Sequence, residues 1–182
     1  HELLDVHEVL SAAIGGLNQM VFLRDKIQDP ELLAILDRQY AFMLDEYNIT
    51  QEAYKTGHDP KHPTRSYKMQ MSNETEYGLK PGQPKKPIQS AQEFNDEIIS
   101  GVLLGIHKVG ATGKTAAALE STNPVVRRVL QDSVPNCVEM AYELSLYQNK
   151  RGYYQVPKLS PTDMTTMLTA YGQAEGAKNM PN

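Results

Sequence analysis

The segment DPELLAIL, residues 29–36, and the segment NPVVRRVL, residues 123–130, decide how this chain folds. Each begins with an Asp or Asn directly before a proline and interrupts an apolar helical pattern that restarts at once. A side-chain oxygen at the first position caps a new helix, and proline is well tolerated in the first turn. Because almost no chain is left for a connection, each pair of helices is expected to fold back as an antiparallel hairpin.

Four amphipathic patterns flank these two breaks. Apolar residues recur three and four positions apart over residues 1–28, 30–56, 90–122 and 124–150, which is typical of helices that bury one face. The predicted core positions are Leu3, Val6, Leu10, Ala13, Leu17, Met20, Leu33, Leu36, Tyr40, Met43, Tyr47, Tyr54, Ile99, Val102, Ile106, Val109, Leu130, Val134, Cys137, Ala141 and Leu144.

Local residue patterns mark how these helices begin and end. Gly57 suits the position just past the second helix, where a left-handed conformation is common. Ser90 with Glu93 fits a capping box that opens the third helix. Pro135 lies inside the fourth pattern, and because the apolar spacing continues across it, we expect one kinked helix rather than two.

Residues 58–89 are rich in proline, glycine and charge, and they are expected to form a connector. About 12 extended residues cross a helix of about 40 Å, so this connector can travel the whole length of a bundle. Two hairpins joined by one long crossover predict an all-α, ferritin-like four-helix bundle. SPTD at residues 160–163 predicts a short tail helix over residues 161–171.

The two halves of the chain also resemble each other. Aligning the two break segments gives an offset of 94 residues and a weak internal repeat with a helix–break–helix layout. The predicted division, in which 1–154 forms a single bundle domain, is a first hairpin over 1–57, a crossover connector over 58–89, a second hairpin over 90–154 and a tail over 155–182.

Composition argues against several classes of function. A net charge of −4 argues against a general nucleic-acid binder. The sequence contains no run of about 18 or more apolar residues, so no membrane span is expected. The opening HELLDVHEVL shows no secretory pattern. The single cysteine, Cys137, lacks an internal disulfide partner and is expected to be a small buried hydrophobe.

The residues capable of chemistry predict no active site. A di-iron bundle needs a Glu-x-x-His motif on two helices, and the sequence contains none. GATGKT, residues 110–115, lacks the first glycine of a phosphate-binding loop and is expected to lie within a helix. Four carboxylates lie off the predicted apolar stripes and are assigned to solvated faces: Glu46, Glu97, Glu139 and Glu143. We therefore expect no metal, no cofactor and no enzymatic activity.

QNKRGYYQVP, residues 148–157, ends the last bundle helix with basic residues, a glycine and two adjacent tyrosines. With the helices that precede it from residue 90, this stretch resembles the Coat F family, the spore coat proteins of endospore-forming Gram-positive bacteria. The resemblance implies a ferritin-like bundle without a shared catalytic function. It also implies a structural role at the spore coat or surface after synthesis in the mother-cell cytoplasm, with other coat proteins as partners.

An interaction site is predicted where the last bundle helix gives way to the tail. The two tyrosines either cover the open end of their own bundle or contact a neighbouring subunit. The apolar tail face must dock in cis or in trans, and docking in trans would make the chain self-assembling. The predicted site consists of Arg151, Gly152, Tyr153, Tyr154, Met164, Met167, Leu168 and Tyr171.

The connector carries side chains of the kinds that cross-linked assemblies use, although a solvated loop would have a similar composition. These residues are Lys61, Tyr67, Lys68, Gln70, Tyr77, Lys80, Gln83, Lys85 and Lys86. Two other functions remain open at this point. One is a ferritin-like metal-binding protein or oxidase with a degenerate site, and the other is a soluble helical adaptor.

Overall fold

Five α-helices follow one another along the chain in this computed structural model, which describes residues 2–176. Four long helices form a bundle, and a single 3-10 turn over Ala91–Glu93 precedes the third. The helices are α1 (Glu2–Arg24), α2 (Pro30–Thr56), α3 (Asp96–Glu120), α4 (Pro124–Lys150) and α5 (Pro161–Leu168). The prediction of an all-helical bundle with a short tail helix is confirmed.

The order of the helices around the bundle requires the long crossover. α1 packs against α2 and α3, and α4 packs against the same two helices, so α1 and α4 lie on a diagonal. The Asp96 carboxylate accepts hydrogen bonds from the backbone N–H groups of Gln28 and Asp29, both at 3.0 Å, so α3 begins beside the α1–α2 turn. Because α2 also begins there, α2 and α3 run parallel. The chain between them therefore travels the full length of the bundle.

The two breaks act as helix caps, as the sequence predicts. The Asp29 side chain accepts a hydrogen bond from the N–H of Glu31, and the Asn123 side chain accepts from the N–H groups of Val125 and Val126. Gly57 ends α2 with a φ of 67°, which a residue without Cβ adopts at little cost. Asn123 Nδ2 also donates to the Gly57 carbonyl at 3.2 Å and thereby joins the end of α2 to the start of α4.

Some helix bounds differ from the prediction. α1 ends at Arg24 rather than at residue 28, because a tight turn follows in which the Lys26 N–H bonds the Leu23 carbonyl. The Ser90–Glu93 capping box forms, but it caps the 3-10 turn and not α3. α3 is capped by Asn95 instead, whose side chain accepts from the N–H of Ile98 at 3.0 Å.

The other two helix predictions concern Pro135 and the tail. α4 continues through Pro135 as one helix, as expected. The tail helix is capped by Ser160 but ends at Leu168, three residues before the predicted bound.

Two apolar clusters form the core, one toward each end of the bundle. The cluster beside the α1–α2 turn consists of Met20, Leu23, Leu32, Ile35, Leu36, Ile99, Leu103, Leu144 and Tyr147. The cluster at the other end consists of Val6, Ile49, Ala53, Ala117, Ala118, Val126, Val129 and Leu130. Leu3 and Val109 were predicted to be inside but are each 67% exposed. Leu3 lies in the first turn of α1, and α3 buries Leu103 and His107 rather than the predicted Val102 and Val109.

A buried polar layer contributed by all of the long helices except α1 separates these clusters, and Glu143 lies at its centre with none of its surface exposed. Its carboxylate accepts hydrogen bonds from Gln39 Nε2 and from the Gln70 N–H, both at 3.0 Å. The Arg38 guanidinium and the Tyr67 hydroxyl donate to the same carboxylate. One carboxylate of α4 therefore holds α2 and the crossover together.

Glu46 forms the second half of this layer. Lys114 Nζ lies 2.9 Å from Glu46 Oε2, and Asn136 Nδ2 donates to Oε1 at 2.6 Å. The Asn136 side-chain oxygen, Oδ1, accepts the Tyr67 N–H at 2.8 Å, which links this half to the crossover. The assignment of Glu46 and Glu143 to solvated faces was wrong, because each carboxylate is buried and is paired with a partly buried cation from another helix. The other two carboxylates of that set, Glu97 and Glu139, are half-buried.

His107 is buried in the same layer, and its imidazole ring is uncharged and donates one hydrogen bond. Gln39 uses its amide nitrogen to donate to Glu143 and to the Met140 carbonyl, so its Oε1 accepts from His107 Nε2 at 2.7 Å. Burial, and secondarily the charge of Lys114, lowers the pKa of His107 from 6.5 to about 3. The folded protein therefore resists protonation of this ring.

Replacing Glu143 by Gln is expected to lower the free energy of unfolding by about 2–4 kcal/mol. The partly buried Arg38 would lose its counterion, and an amide NH2 group would replace a buried oxygen to which donors point. Glu139→Gln, one turn earlier on the same helix and half-buried, is the matched control and should change it by less than about 0.5 kcal/mol. Urea denaturation measures both. Equal losses in the two variants would show that the buried pairing does not hold the helices together.

Acidification is expected to destabilise the protein through His107. Below about pH 6.5 the unfolded chain binds a proton there, whereas the folded chain binds it only near pH 3. The free energy of unfolding should therefore fall between about pH 6.5 and pH 4, with this residue contributing up to about 1.4 kcal/mol per pH unit.

His107→Gln should remove that part of the pH dependence, because Gln does not titrate. His58→Gln, in the exposed connector, should retain it. Urea unfolding of the two variants and the parent chain across this pH range gives the slopes. A His107→Gln slope as steep as that of the parent chain would contradict the assignment.

Candidate functional site

Arg151 joins the end of α4 to the start of α2. Its guanidinium donates from Nε and Nη2 to Asp29 Oδ2, at 2.8 and 2.6 Å, and from Nη2 to Glu31 Oε2 at 3.0 Å. It also lies 5.3 Å from the ring centroid of Tyr147, a cation–π contact. The Tyr147 hydroxyl donates to the same Asp29 oxygen at 2.9 Å. Arg151 is therefore engaged within its own bundle.

Asp29 is the point where these bonds meet. Partial burial opposes ionisation of its carboxyl, but the hydrogen bonds from Arg151, the Glu31 N–H and Tyr147 outweigh that effect, so its pKa lies below the usual value. Burial, and then the bond to Asp29, raises the pKa of Tyr147. The carboxylate and the neutral phenol therefore stabilise each other at neutral pH.

Gly152 reverses the chain after α4. Its φ of 73° lies in the left-handed region that glycine adopts without steric cost. The turn lets the N–H groups of Tyr153 and Tyr154 reach the Gln148 carbonyl, at 2.8 and 3.2 Å. The carbonyl groups that the helix end leaves open are satisfied in this way.

The two adjacent tyrosines lie in different environments. Tyr153 is half-buried on the apolar cluster beside the α1–α2 turn, with its ring 6.2 Å from that of Tyr147 in an edge contact. Lys85 Nζ from the crossover donates to the Tyr153 carbonyl at 2.6 Å. Tyr154 is 57% exposed. Tyr153 therefore covers its own bundle, and Tyr154 presents its ring to the outside.

The chain after Tyr154 is held against the crossover. Asn149 Nδ2 donates to the carbonyls of Glu76 and Tyr154, and its side-chain oxygen accepts the Glu76 N–H. Val156 forms a parallel bridge with Tyr77 and accepts the N–H of Gly78 at 2.8 Å. The tail is thus fixed as far as residue 156, a few residues before α5 begins.

α5 stands away from the bundle. Within residues 2–176 it packs against none of the other helices. Its apolar side chains, Met164, Met167 and Leu168, are 47 to 76% exposed, and Tyr171, three residues past its end, is 90% exposed. Of the eight predicted interaction residues, the structure brings Arg151, Gly152 and Tyr153 into the bundle. The other five are exposed, four of them in the tail away from the bundle, and a role for any of them in contacts between molecules stays a prediction.

The predicted cross-linking segment contains one buried member. Tyr67 is inside, T-shaped against Phe42 and bonded to Glu143, so it was wrongly placed among the exposed groups. Burial, and then the bond to Glu143, raises its pKa. Tyr77 is 64% exposed, and the five lysines of the connector are exposed as well. Cross-linking through these groups stays a prediction.

The described part of the chain, residues 2–176, holds no group of three or more His, Cys, Asp or Glu side chains arranged to bind a metal. The two buried carboxylates in the bundle centre are each neutralised by a protein cation, Arg38 or Lys114. Their remaining lone pairs accept hydrogen bonds from amides and a phenol. This donor set stabilises carboxylates without leaving them net charge to attract a metal ion. None of the described helices is long and apolar enough to cross a membrane.

The sequence prediction missed this buried layer, although its residues have helical spacing from core positions. Gln39 follows Leu36 by three residues, and Glu143 follows Met140 by three. A polar residue in phase with a core stripe is a usable signal, because burying it requires a partner. The partners themselves lie up to 105 residues away along the chain and are not evident from spacing.

Gly152→Ala is expected to lower the free energy of unfolding by about 1–2 kcal/mol, because an L side chain is strained in the left-handed region. No atom lies within 4 Å of the added Cβ, so the loss would be conformational and not a clash. Gly172→Ala in the exposed tail is the control, with an expected change below about 0.5 kcal/mol. Thermal and urea unfolding measure both, and an unchanged Gly152→Ala protein would contradict the turn.

Three comparisons identify related proteins. The family profile described as Coat F domain matches residues 95–157, which span α3, α4 and the turn through Tyr154. The spore coat protein F-like protein YhcQ of Bacillus subtilis strain 168 is 49% identical over 176 residues, 97% of this chain and 81% of that protein.

A crystal structure of a candidate spore coat protein, BH2358 from Bacillus halodurans C-125, superposes with a TM-score of 0.60. It is 18% identical and covers 87% of this chain and 92% of its own, so the likeness concerns the fold. The sequence identity to YhcQ over nearly the whole chain is the stronger evidence. The chain belongs to the Coat F family of spore coat proteins.

Proposed function

We propose that this protein is a non-enzymatic structural component of the bacterial spore coat that associates with copies of itself through α5. Membership in the Coat F family supports a place in the coat. The observation that carries self-association is the apolar face of α5, which is exposed and packs against none of the described helices. Apolar surface of this kind, displayed on a fixed stem, typically marks a contact between proteins.

The geometry of the stem supports docking in trans. Val156 is bridged to Tyr77, and four residues separate it from the start of α5 at Pro161. The five residue steps from Val156 to Pro161 span about 18 Å at most, which limits the part of its own bundle that α5 can reach. A tail that is anchored at its base and apolar at its tip presents one surface to a neighbouring molecule. Tyr154 and Tyr77 are exposed beside this stem and extend that surface.

The proposal predicts that mutation of the α5 apolar face abolishes assembly. Light scattering and negative-stain microscopy of the full chain should show large ordered particles. The triple variant Met164→Ser, Met167→Ser, Leu168→Ser should remain at the mass of one chain, because the apolar contact is removed.

The matched control changes the opposite face of the same helix: Thr162→Ser, Thr165→Ser, Thr166→Ser. It should assemble like the parent chain. If the apolar-face variant also assembles, another surface forms the contact. If the parent chain itself remains a monomer, self-association through α5 is wrong and the helical adaptor becomes the better function.

A further inference from the structure

A cavity of about 690 Å³ opens between α1 and α3. The α1 side runs from Asp5 to Gln19 and the α3 side from Gly105 to Glu120, and α2 and α4 form the floor. None of its lining residues comes from the crossover, which lies on α2 and α4. A volume of this size is typical of sites that enclose a small organic molecule, roughly 300–1,000 Å³.

Small residues on the two helices create this space. α1 contributes Ala12, Ala13, Gly15 and Gly16, and α3 contributes Gly105, Gly110, Gly113, Ala116 and Ala117. At Gly16 an added Cβ would lie 2.9 Å from Ile106 Cγ2, so the helices touch there. At Gly105 and Gly113 an added Cβ would meet no atom within 4 Å. The two helices therefore approach each other closely at Gly16, and open volume remains beside Gly105 and Gly113.

The floor of the cavity is polar and enclosed. Lys114 Nζ lies 2.9 Å from Glu46 Oε2 and 3.5 Å from Cys137 Sγ, and the neutral His107 ring lies beside them. The apolar wall is supplied chiefly by Val9, Leu10, Met43, Ile106 and Val109. An apolar body with a polar end would match this combination of surfaces.

The charges around the cavity select the sign of that polar end. Four carboxylates line it, those of Asp5, Glu8, Glu46 and Glu120, against one ammonium, Lys114, which is already paired with Glu46. Asp5, Glu8 and Glu120 have no ion-pair partner among the described residues, so their charges are not neutralised. Asp5 is the least exposed of the three, so water screens its attraction for a cation the least.

We propose that this cavity binds a small organic cation, an aliphatic amine whose ammonium group bonds the Asp5 carboxylate and whose alkyl body lies along the α1–α3 wall. The net negative lining disfavours a carboxylate or phosphate in the same position. It also disfavours the tail of another copy, since the one charged residue of α5 is Asp163. The site is therefore independent of the assembly surface.

Isothermal titration with n-octylamine, octanol and octanoate at neutral pH tests the proposal with one alkyl body and three end groups. Octylammonium should bind once per chain, at least tenfold tighter than octanol, and octanoate should bind weakest. Asp5→Asn should weaken octylammonium binding at least fivefold and leave octanol binding unchanged. Glu74→Gln, which removes an exposed carboxylate of the crossover, is the control and should change neither.

A second variant tests whether the ligand is inside. An added Cβ at Gly110 would lie 3.7 Å from Cys137 Sγ, so Gly110→Leu directs its side chain to the cavity floor. Leu is a better helix former than Gly, so the variant should fold, which circular dichroism checks. It should bind none of the three probes. Unchanged binding by Gly110→Leu, tighter binding of octanoate than of octylammonium, or no binding of octylammonium to the parent chain would each overturn the proposal.

Discussion

The buried negative charge of Glu143 is the constraint on which the arrangement of the helices depends. Removing a carboxylate from water costs several kcal/mol unless donors and a counter-charge replace the lost hydration. Here they come from α2, through Arg38 and Gln39, and from the crossover, through Tyr67 and Gln70. Apolar contacts tolerate sliding of one helix along another, whereas these bonds exist in one alignment. The carboxylate therefore fixes how α2, the crossover and α4 lie relative to one another.

The bundle is consequently held together in two different ways on its two sides. α2 and α4 are joined by polar bonds at both ends, Arg151 with Asp29 at one and Asn123 with Gly57 at the other, and by the crossover between. α1 and α3 meet instead through apolar contacts, with a close approach at Gly16, and a cavity lies between them. The fixed side carries the stem of the tail, and the open side offers space for a small molecule.

The sequence predicted those features that depend on neighbouring residues. Asp29–Pro30 and Asn123–Pro124 cap and start helices locally, so α2 and α4 begin and end where expected. Ser90 forms its predicted box, yet α3 begins later, where Asn95 caps it and the Asp96 carboxylate bonds the α1–α2 turn. The bonds to that turn join residues far apart in the sequence, which no local pattern contains.

The same limit explains the errors at the candidate site. Glu143 was assigned to the solvent because periodicity records polarity and not a partner on another helix. Tyr153 and Tyr154 are adjacent residues of the same type, so the sequence does not distinguish them. After the left-handed turn at Gly152, one ring packs on Tyr147 and the other is exposed. The family, by contrast, was predictable from this short motif and its helices, because the spacing of the motif is local.

The distances between partners along the chain have a consequence for synthesis. Arg38 pairs with Glu143, which lies 105 residues later in the chain. Glu46 pairs with Lys114, 68 residues later, and accepts a hydrogen bond from Asn136, 90 residues later. A chain emerging from the ribosome in order must therefore keep these groups hydrated until nearly all of α4 has been made. The first hairpin is a half-structure with polar residues on the face that it will later bury. These residues become buried only when α4 has been made, so a chain truncated before α4 would leave them exposed to water.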